Sequence, residues 1–191
     1  MNLDLPVLQT PRLILRLFFH QDVPSILDYY LQNKDFLTHV EPTRPPGFYT
    51  QEFWQEQVQK GVLEFEWGES VKLGLFKQAD PEILIGKVNL TQICWGASYS
   101  CALGYSLAER EQGRGYMTEA LTAAIRYSFE DLNLHRIMAS YMPRNERSGL
   151  LLKRLGFVVE GYARNYLMIN GQWEDHILTS LLNSNWRSNS D

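Results

Sequence analysis

One stretch constrains the fold more than any other: CALGYSLAEREQGRGYMTEALTAAIRYSFEDL, residues 101–132. Its first part alternates, with Cys101, Leu103, Tyr105 and Leu107 on one side, the period of a strand. Its last part spaces Met117, Leu121, Ala124, Ile125 and Leu132 as one apolar stripe of a helix. Between them lies Arg110-Glu111-Gln112-Gly113-Arg114-Gly115. A further strand-like run, RIMASYM (136–142), follows the helix, so 99–141 reads as a β–helix–β crossover joining two parallel strands. Ligands of such sheets sit at the carboxyl ends of the strands, beside the next helix start. Gly113 and Gly115 let backbone amides close on an anion, and the helix dipole adds roughly half a positive charge there. No Gly-Lys-Ser/Thr follows, which excludes a Walker A loop, and the full dinucleotide-binding glycine spacing is missing. A plain chain reversal is the competing reading of the same six residues.

The rest of the chain supplies a mixed setting for this unit. TPRLILRLFF sets Leu13, Leu15 and Leu17 against Arg12 and Arg16, as a half-buried strand does. HQDVPSILDYYLQN reads as a helix with Asp22 as N-cap, Pro24 in the first turn, and Ile26, Leu27, Tyr30 and Leu31 on one face. VEPTRPPGFYT is a proline-rich loop, and a second amphipathic helix runs from about Thr50 to Val62. VKLGLF, ILIGKVNLTQI and YSCALGYSLAE read as successive strands with turns at QADPE and WGAS. NERSGLLLKRLGF is a short helix with Asn145 as N-cap and Gly156 as its left-handed stop, and the closing strands turn at Asn170-Gly171. The expected fold is α/β (α+β): a twisted, mixed, mostly antiparallel sheet flanked by helices, with one parallel crossover. A single domain over 8–186 is expected, with short tails at 1–7 and 187–191.

Charge and composition remove several function classes. A net charge of −4 argues against stable nucleic-acid binding and mildly favours cationic partners such as amines. No apolar run approaches the ~20 residues that span a bilayer, and the first residues do not read as a signal peptide, so a cytoplasmic protein without membrane contact is expected. Cys94 and Cys101 lack metal-pair spacing and read as reduced thiols, although a hairpin pairing is open to them. His20, His39, His135 and His176 are scattered without metal spacing, at loops or strand ends, and no metal is expected. The run Glu64, Glu66, Glu69 reads as a solvated face.

Arg110-x-x-Gly113-x-Gly115, together with TPRLILR, HRIMASYMPRNERSGLLLKRLGF and EGYARNYLMINGQWEDHILTSL, resembles the GNAT N-acetyltransferases. Within them the likeness is to the RimJ/RimL branch, the ribosomal-protein N-terminal acetyltransferases, and most to the RimJ type, which acetylates an N-terminal alanine. It covers roughly residues 8–186. The resemblance implies acetyl-CoA as cosubstrate, with its pyrophosphate on Gln112, Gly113, Arg114, Gly115, Tyr116, Met117 and Thr118. Arg114 reads there as a phosphate contact or a positional passenger. It implies that Tyr105, Ser106 and Leu107 offer backbone groups to the pantetheine arm and that Asn145 lies beside that arm.

Acyl transfer from a thioester to an amine needs a held donor, a neutral amine, a hydrogen bond for the oxyanion and a proton for the thiolate. By the resemblance, the Leu107 amide meets the oxyanion and Ser148 protonates the thiolate. Glu41, in the loop bordering the acceptor cleft, is the candidate general base, acting through a water. A buried strand, a helix first turn and a solvated loop carboxylate are the plainer readings of these three. The expected partner is a protein N-terminus, of a ribosomal protein, served by a monomer or homodimer. A small-molecule amine acetyltransferase and a non-catalytic acyl-CoA-binding module remain as alternatives. Trp173 and Asp175 belong to the closing hairpin, either near the acceptor or, for Trp173, in the core.

Overall fold

The computed structural model describes residues 5–188; residues 1–4 and 189–191 of the expected tails lie outside them. Eight strands form one sheet: β1 Val7–Gln9, β2 Leu13–Leu17, β3 Val71–Lys77, β4 Asp80–Cys94, β5 Ser100–Leu107, β6 Arg136–Tyr141, β7 Val158–Ile169 and β8 Gln172–Leu182. Their order across the sheet is β1-β2-β3-β4-β5-β6-β8-β7, and only β5–β6 is parallel. Helices α1 Val23–Gln32, α2 Lys34–Thr38 and α3 Gln51–Glu66 precede β3, α4 Tyr116–Glu130 makes the crossover, and α5 Glu146–Arg154 follows β6.

Strand alternation divides the apolar residues between two faces. Leu13, Leu15, Leu17, Leu73, Val88, Leu103 and Ile137 join the inner residues of α4 and α5 in the larger core. Phe76 and Leu84 face the other way and pack with Val23, Ile26, Tyr29 and Tyr30 of α1 and Val58 of α3. The sheet thus carries one hydrophobic layer on each side.

Local chemistry ends the elements where the sequence indicates, with some differences. The Thr50 hydroxyl caps α3 by accepting from the Phe53 amide, and α3 continues past Val62 to Glu66. At the end of α5 the Phe157 amide donates to Leu152 and the Gly156 amide to Lys153, with Gly156 at φ +89°, a Schellman ending. Asn170 and Gly171 both take positive φ, +47° and +77°, as a two-residue type I′ hairpin requires. Asp22 stands before α1 without capping it by side chain. Its carboxylate is spent on Arg16, at 2.6 and 2.8 Å, and on the Phe19 amide. Leu31 is exposed and Tyr29 buried, because around the helix Leu31 lies about 140° from the buried Ile26 and Tyr29 only about 60°.

Other expectations change with the tertiary contacts. The QADPE turn shrinks to Gln78-Ala79, since Asp80 already pairs with Lys77. Glu64 is a hub and not a solvated charge: it holds Lys72 at 2.5 Å, Ser70 at 2.7 Å and Lys60 at 3.6 Å. His176 is buried within β8, and Trp173 is 58% exposed and so outside the core. Cys94 is exposed and Cys101 buried, both free. No described helix is long and apolar enough to cross a membrane.

Leu15 has no exposure and sits in the larger core. Leu15→Ala is expected to cost about 2–5 kcal/mol, read as a lower urea midpoint with an unchanged slope.

Candidate active site

The crossover builds a cleft because its parallel pairing stops early. β5 and β6 match only over Ser100–Ala102 and Arg136–Met138, after which β5 runs on to Leu107 and β6 to Tyr141 without partnering each other. On its other side β5 stays paired with β4, Gly86 opposite Leu107 and Lys87 opposite Ser106. The Ala108 amide donates to Ile85 at 2.8 Å, so position 108 is a hydrogen-bonded one on the β4 side. Antiparallel alternation then turns the amides of Tyr105 and Leu107 towards the gap beside β6, while that of Leu103, on the same side, belongs to the Ala102–Met138 pairing.

At the mouth of this gap lies the glycine turn. A short 3-10 turn, Glu109–Glu111, leads into Gln112, and Gly113 and Gly115 adopt φ +75° and +77°. A Cβ at Gly113 would meet no atom within 4 Å, so the glycine answers to backbone conformation and leaves the space above it open. Gly115 is the N-cap of α4, and the amides of Tyr116, Met117 and Thr118 in its first turn have no partner carbonyl within the helix. Arg110 and Arg114 are more than half exposed here, while Glu111 is buried and held by Lys77 at 2.7 Å. The Gln112 side chain accepts from Arg147 of α5, tying the turn to the far wall of the cleft.

Inside the gap, Tyr105 and Ser148 meet, their hydroxyls 2.7 Å apart. Asn145 caps α5 by accepting from the Ser148 amide at 3.3 Å, which orients the turn bearing that serine. Gly149 permits the approach of α5 to β6, since a Cβ there would lie 2.6 Å from the Tyr141 ring. Burial pushes the Tyr105 phenol up to about 12, opposed by the hydrogen bond to Ser148. It is therefore a neutral hydroxyl at physiological pH.

Ser106 points to the opposite face, where its hydroxyl lies 2.9 Å from that of Tyr29. Beside it, Lys87 reaches the Tyr30 hydroxyl at 2.6 Å and Glu41 at 3.0 Å, and Arg44 adds a contact to Glu41 at 3.5 Å. Burial works against the Lys87 charge, yet Tyr30 and Glu41 hold its pKa above the ordinary lysine value. Arg44 also lies over the rings of Tyr30, Phe48 and Tyr49, pinning the proline-rich loop. A cavity of about 260 Å³ opens here between α1, α3 and the sheet, with Tyr29, Tyr30, Trp54, Phe48, Lys87 and Asn89 among its walls.

The structure thus gathers Leu107, Tyr105, Asn145, Ser148 and the turn 112–118 around one cleft. It places Glu41 across the sheet, one strand from Ser106. Asp175 lies apart on the outer hairpin, accepting from the Tyr162 hydroxyl and the Asn165 amide. Tyr29 and Lys87 were not singled out from sequence, and Tyr30 only as a member of the apolar face of α1. The available signal was Lys87 and Asn89 two apart in an otherwise apolar strand, which marks a face turned to something polar.

The acetyltransferase (GNAT) domain family matches residues 12–158. The chain belongs to the GNAT acetyltransferases. It is 46% identical to the ribosomal protein uS5-alanine N-acetyltransferase of Escherichia coli, over 94% of this chain and 92% of that one. Among solved structures, the ribosomal-protein-S5-alanine acetyltransferase of Vibrio fischeri matches with a TM-score of 0.91 and 36% identity, covering 96% of this chain and all of that one. RimJ of Mycobacterium smegmatis, solved with CoA-disulfide, shares the fold at a TM-score of 0.86 and 24% identity, over 96% and 89% of the two chains.

The buried phenol of Tyr105 carries a pH consequence. Its folded pKa is raised, so its contribution to stability is complete below pH about 10 and is lost as pH rises through about 12. Urea unfolding across that window is expected to show falling stability, and Tyr105→Phe to make the fall shallower.

Proposed function

We propose that this protein transfers acetyl from acetyl-CoA to the N-terminal α-amine of a ribosomal protein, with alanine as the first residue. The observation that carries the reading is the splay of β5 from β6, with the glycine turn following β5 and the Tyr105 and Ser148 hydroxyls paired between β5 and α5. The likeness to alanine N-acetyltransferases of ribosomal proteins, across nearly the whole chain, supports the acceptor. An acceptor of this kind puts the protein in the cytoplasm.

The residues present fit the cosubstrate. The turn offers amides, an open space over Gly113 and a helix start to a diphosphate, as Arg114 and Arg110 offer charge beside it. Acetyl-CoA supplies an acyl group already activated as a thioester. Tyr105 and Leu107 present two amides to the arm, ~6.6 Å apart along the strand. Leu107 stands nearest the turn, and the amide level with the carbonyl donates to the developing oxyanion.

Ser148 gives its proton to the departing sulfur, and Tyr105 is placed to restore it. The amine attacks directly, and neither cysteine is placed to act as a nucleophile: Cys101 is buried in the core, with its thiol pushed up to about 12 by burial. An α-ammonium has a pKa near ~8, so a modest acceptor suffices to free the amine. Glu41 takes that proton through a water. Its two cationic contacts leave room for one, as a carboxylate has about four lone-pair sites.

Mass spectrometry of protein N-termini with and without this chain tests the acceptor, and unchanged ribosomal-protein termini would refute it. Ser148→Ala is expected to lower kcat by about 10²-fold or more while CoA affinity stays near that of the parent. For Glu41→Gln the acidic limb of the pH–rate profile should move; a profile superimposing on the parent's removes Glu41 from the proton path.

A further inference from the structure

The glycine turn lies between two carboxylates, Glu111 before it and Glu119 after it, an arrangement that by itself repels an anion. Both are paired from one place, and Glu111 is met in addition by Arg114 at 3.4 Å and Arg110 at 3.9 Å. The start of β2 and the end of β3 are paired, Leu13 opposite Lys77, and the Gln78 amide donates to Arg12 at 3.0 Å. From this ladder end Lys77 reaches Glu111 at 2.7 Å and Arg12 reaches Glu119 at 2.6 and 2.7 Å. Glu119 is further held by the Thr10 hydroxyl at 2.6 Å and the Arg12 amide at 2.9 Å. Partial burial disfavours its charge, yet the bonds from Thr10 and Arg12 keep its pKa low.

Arg12 does more than neutralise. Its Nη1 donates to the Arg114 carbonyl at 3.0 Å, between the two left-handed glycines, and its guanidinium lies 4.6 Å over the Tyr116 ring. The Lys77 ammonium lies 5.9 Å from the same ring. A carbonyl pulled towards the β2–β3 side leaves the neighbouring amides to face the cleft.

We infer that Arg12 and Lys77, through Glu119, Glu111 and the Arg114 carbonyl, are positioning residues that hold the turn in its anion-binding shape and cancel the charges flanking it. The inference rests on the proposed acetyl-CoA site and assigns that site its support. These residues touch no reacting atom, so they act on donor binding and not on the chemical step.

Kinetics with acetyl-CoA and an alanine-initiated basic peptide, together with calorimetry with CoA, test this for Arg12→Gln, Glu119→Gln and Lys77→Gln. Arg136→Gln, which breaks a surface pair with Glu160 at the far end of the sheet, serves as the control. The expected result is an acetyl-CoA KM and a CoA Kd raised about tenfold or more, with kcat and the peptide KM within about twofold and the control unchanged. Loss of kcat or of peptide affinity to the same degree would show a merely structural role and overturn the inference, as would unchanged CoA affinity. If Arg12→Gln does not fold, the milder Glu119→Gln and Lys77→Gln decide by the same criteria. A parent protein that binds no CoA refutes the proposed function itself, whereas a parent and variants that bind it equally refute only this inference.

Discussion

The parallel pairing of β5 with β6 holds for three residues on each strand and then lets go. Continued pairing would satisfy the outward amides of Tyr105 and Leu107 within the sheet. Their release is tolerable only at a surface or beside a ligand, because buried backbone donors need partners. The departure of β6 is supported from outside the pair: β6 remains fully matched to β8, and α5 approaches it closely over Gly149. Helix α4 joins the two strands, so the same splay that opens the gap sets the helix start at its mouth.

The sheet then separates the chemistry by side. Tyr105 and Ser148 lie with α4 and α5, whereas Ser106, Tyr29, Lys87 and Glu41 lie with α1 and the proline-rich loop. Adjacent residues of one strand thus serve two faces. On the proposed function, a donor arm between β5 and β6 and an acceptor approaching from the α1 side meet at the strand without crossing. The proline-rich loop is a pinned wall of that side: Arg44 is stacked on three rings, and Pro42 bridges to Ile169 of the closing hairpin.

Much of this was legible in the sequence where local rules govern. The Leu13, Leu15, Leu17 alternation, the apolar stripe of α4, the Asn145 cap, the Gly156 stop and the Asn170-Gly171 turn each depend on residues a few positions apart. Local rules misread Asp22, whose carboxylate prefers a bidentate guanidinium to a helix amide, and Glu64, which gathers two lysines and a serine. They also missed Lys87, because a lysine in a strand looks solvated until Tyr30 and Glu41 are seen around it.

By itself the sequence determined the strand–glycine turn–helix unit and the mixed fold around it, since these follow from backbone propensity and period. Only the tertiary structure decided that β5 and β6 part after Ala102, that Tyr105 meets Ser148 across 43 positions, and that Arg12 grips a carbonyl 102 positions away. Those contacts join residues with no local relation, and what sets their distances is how the helices pack on the two faces of a twisted sheet.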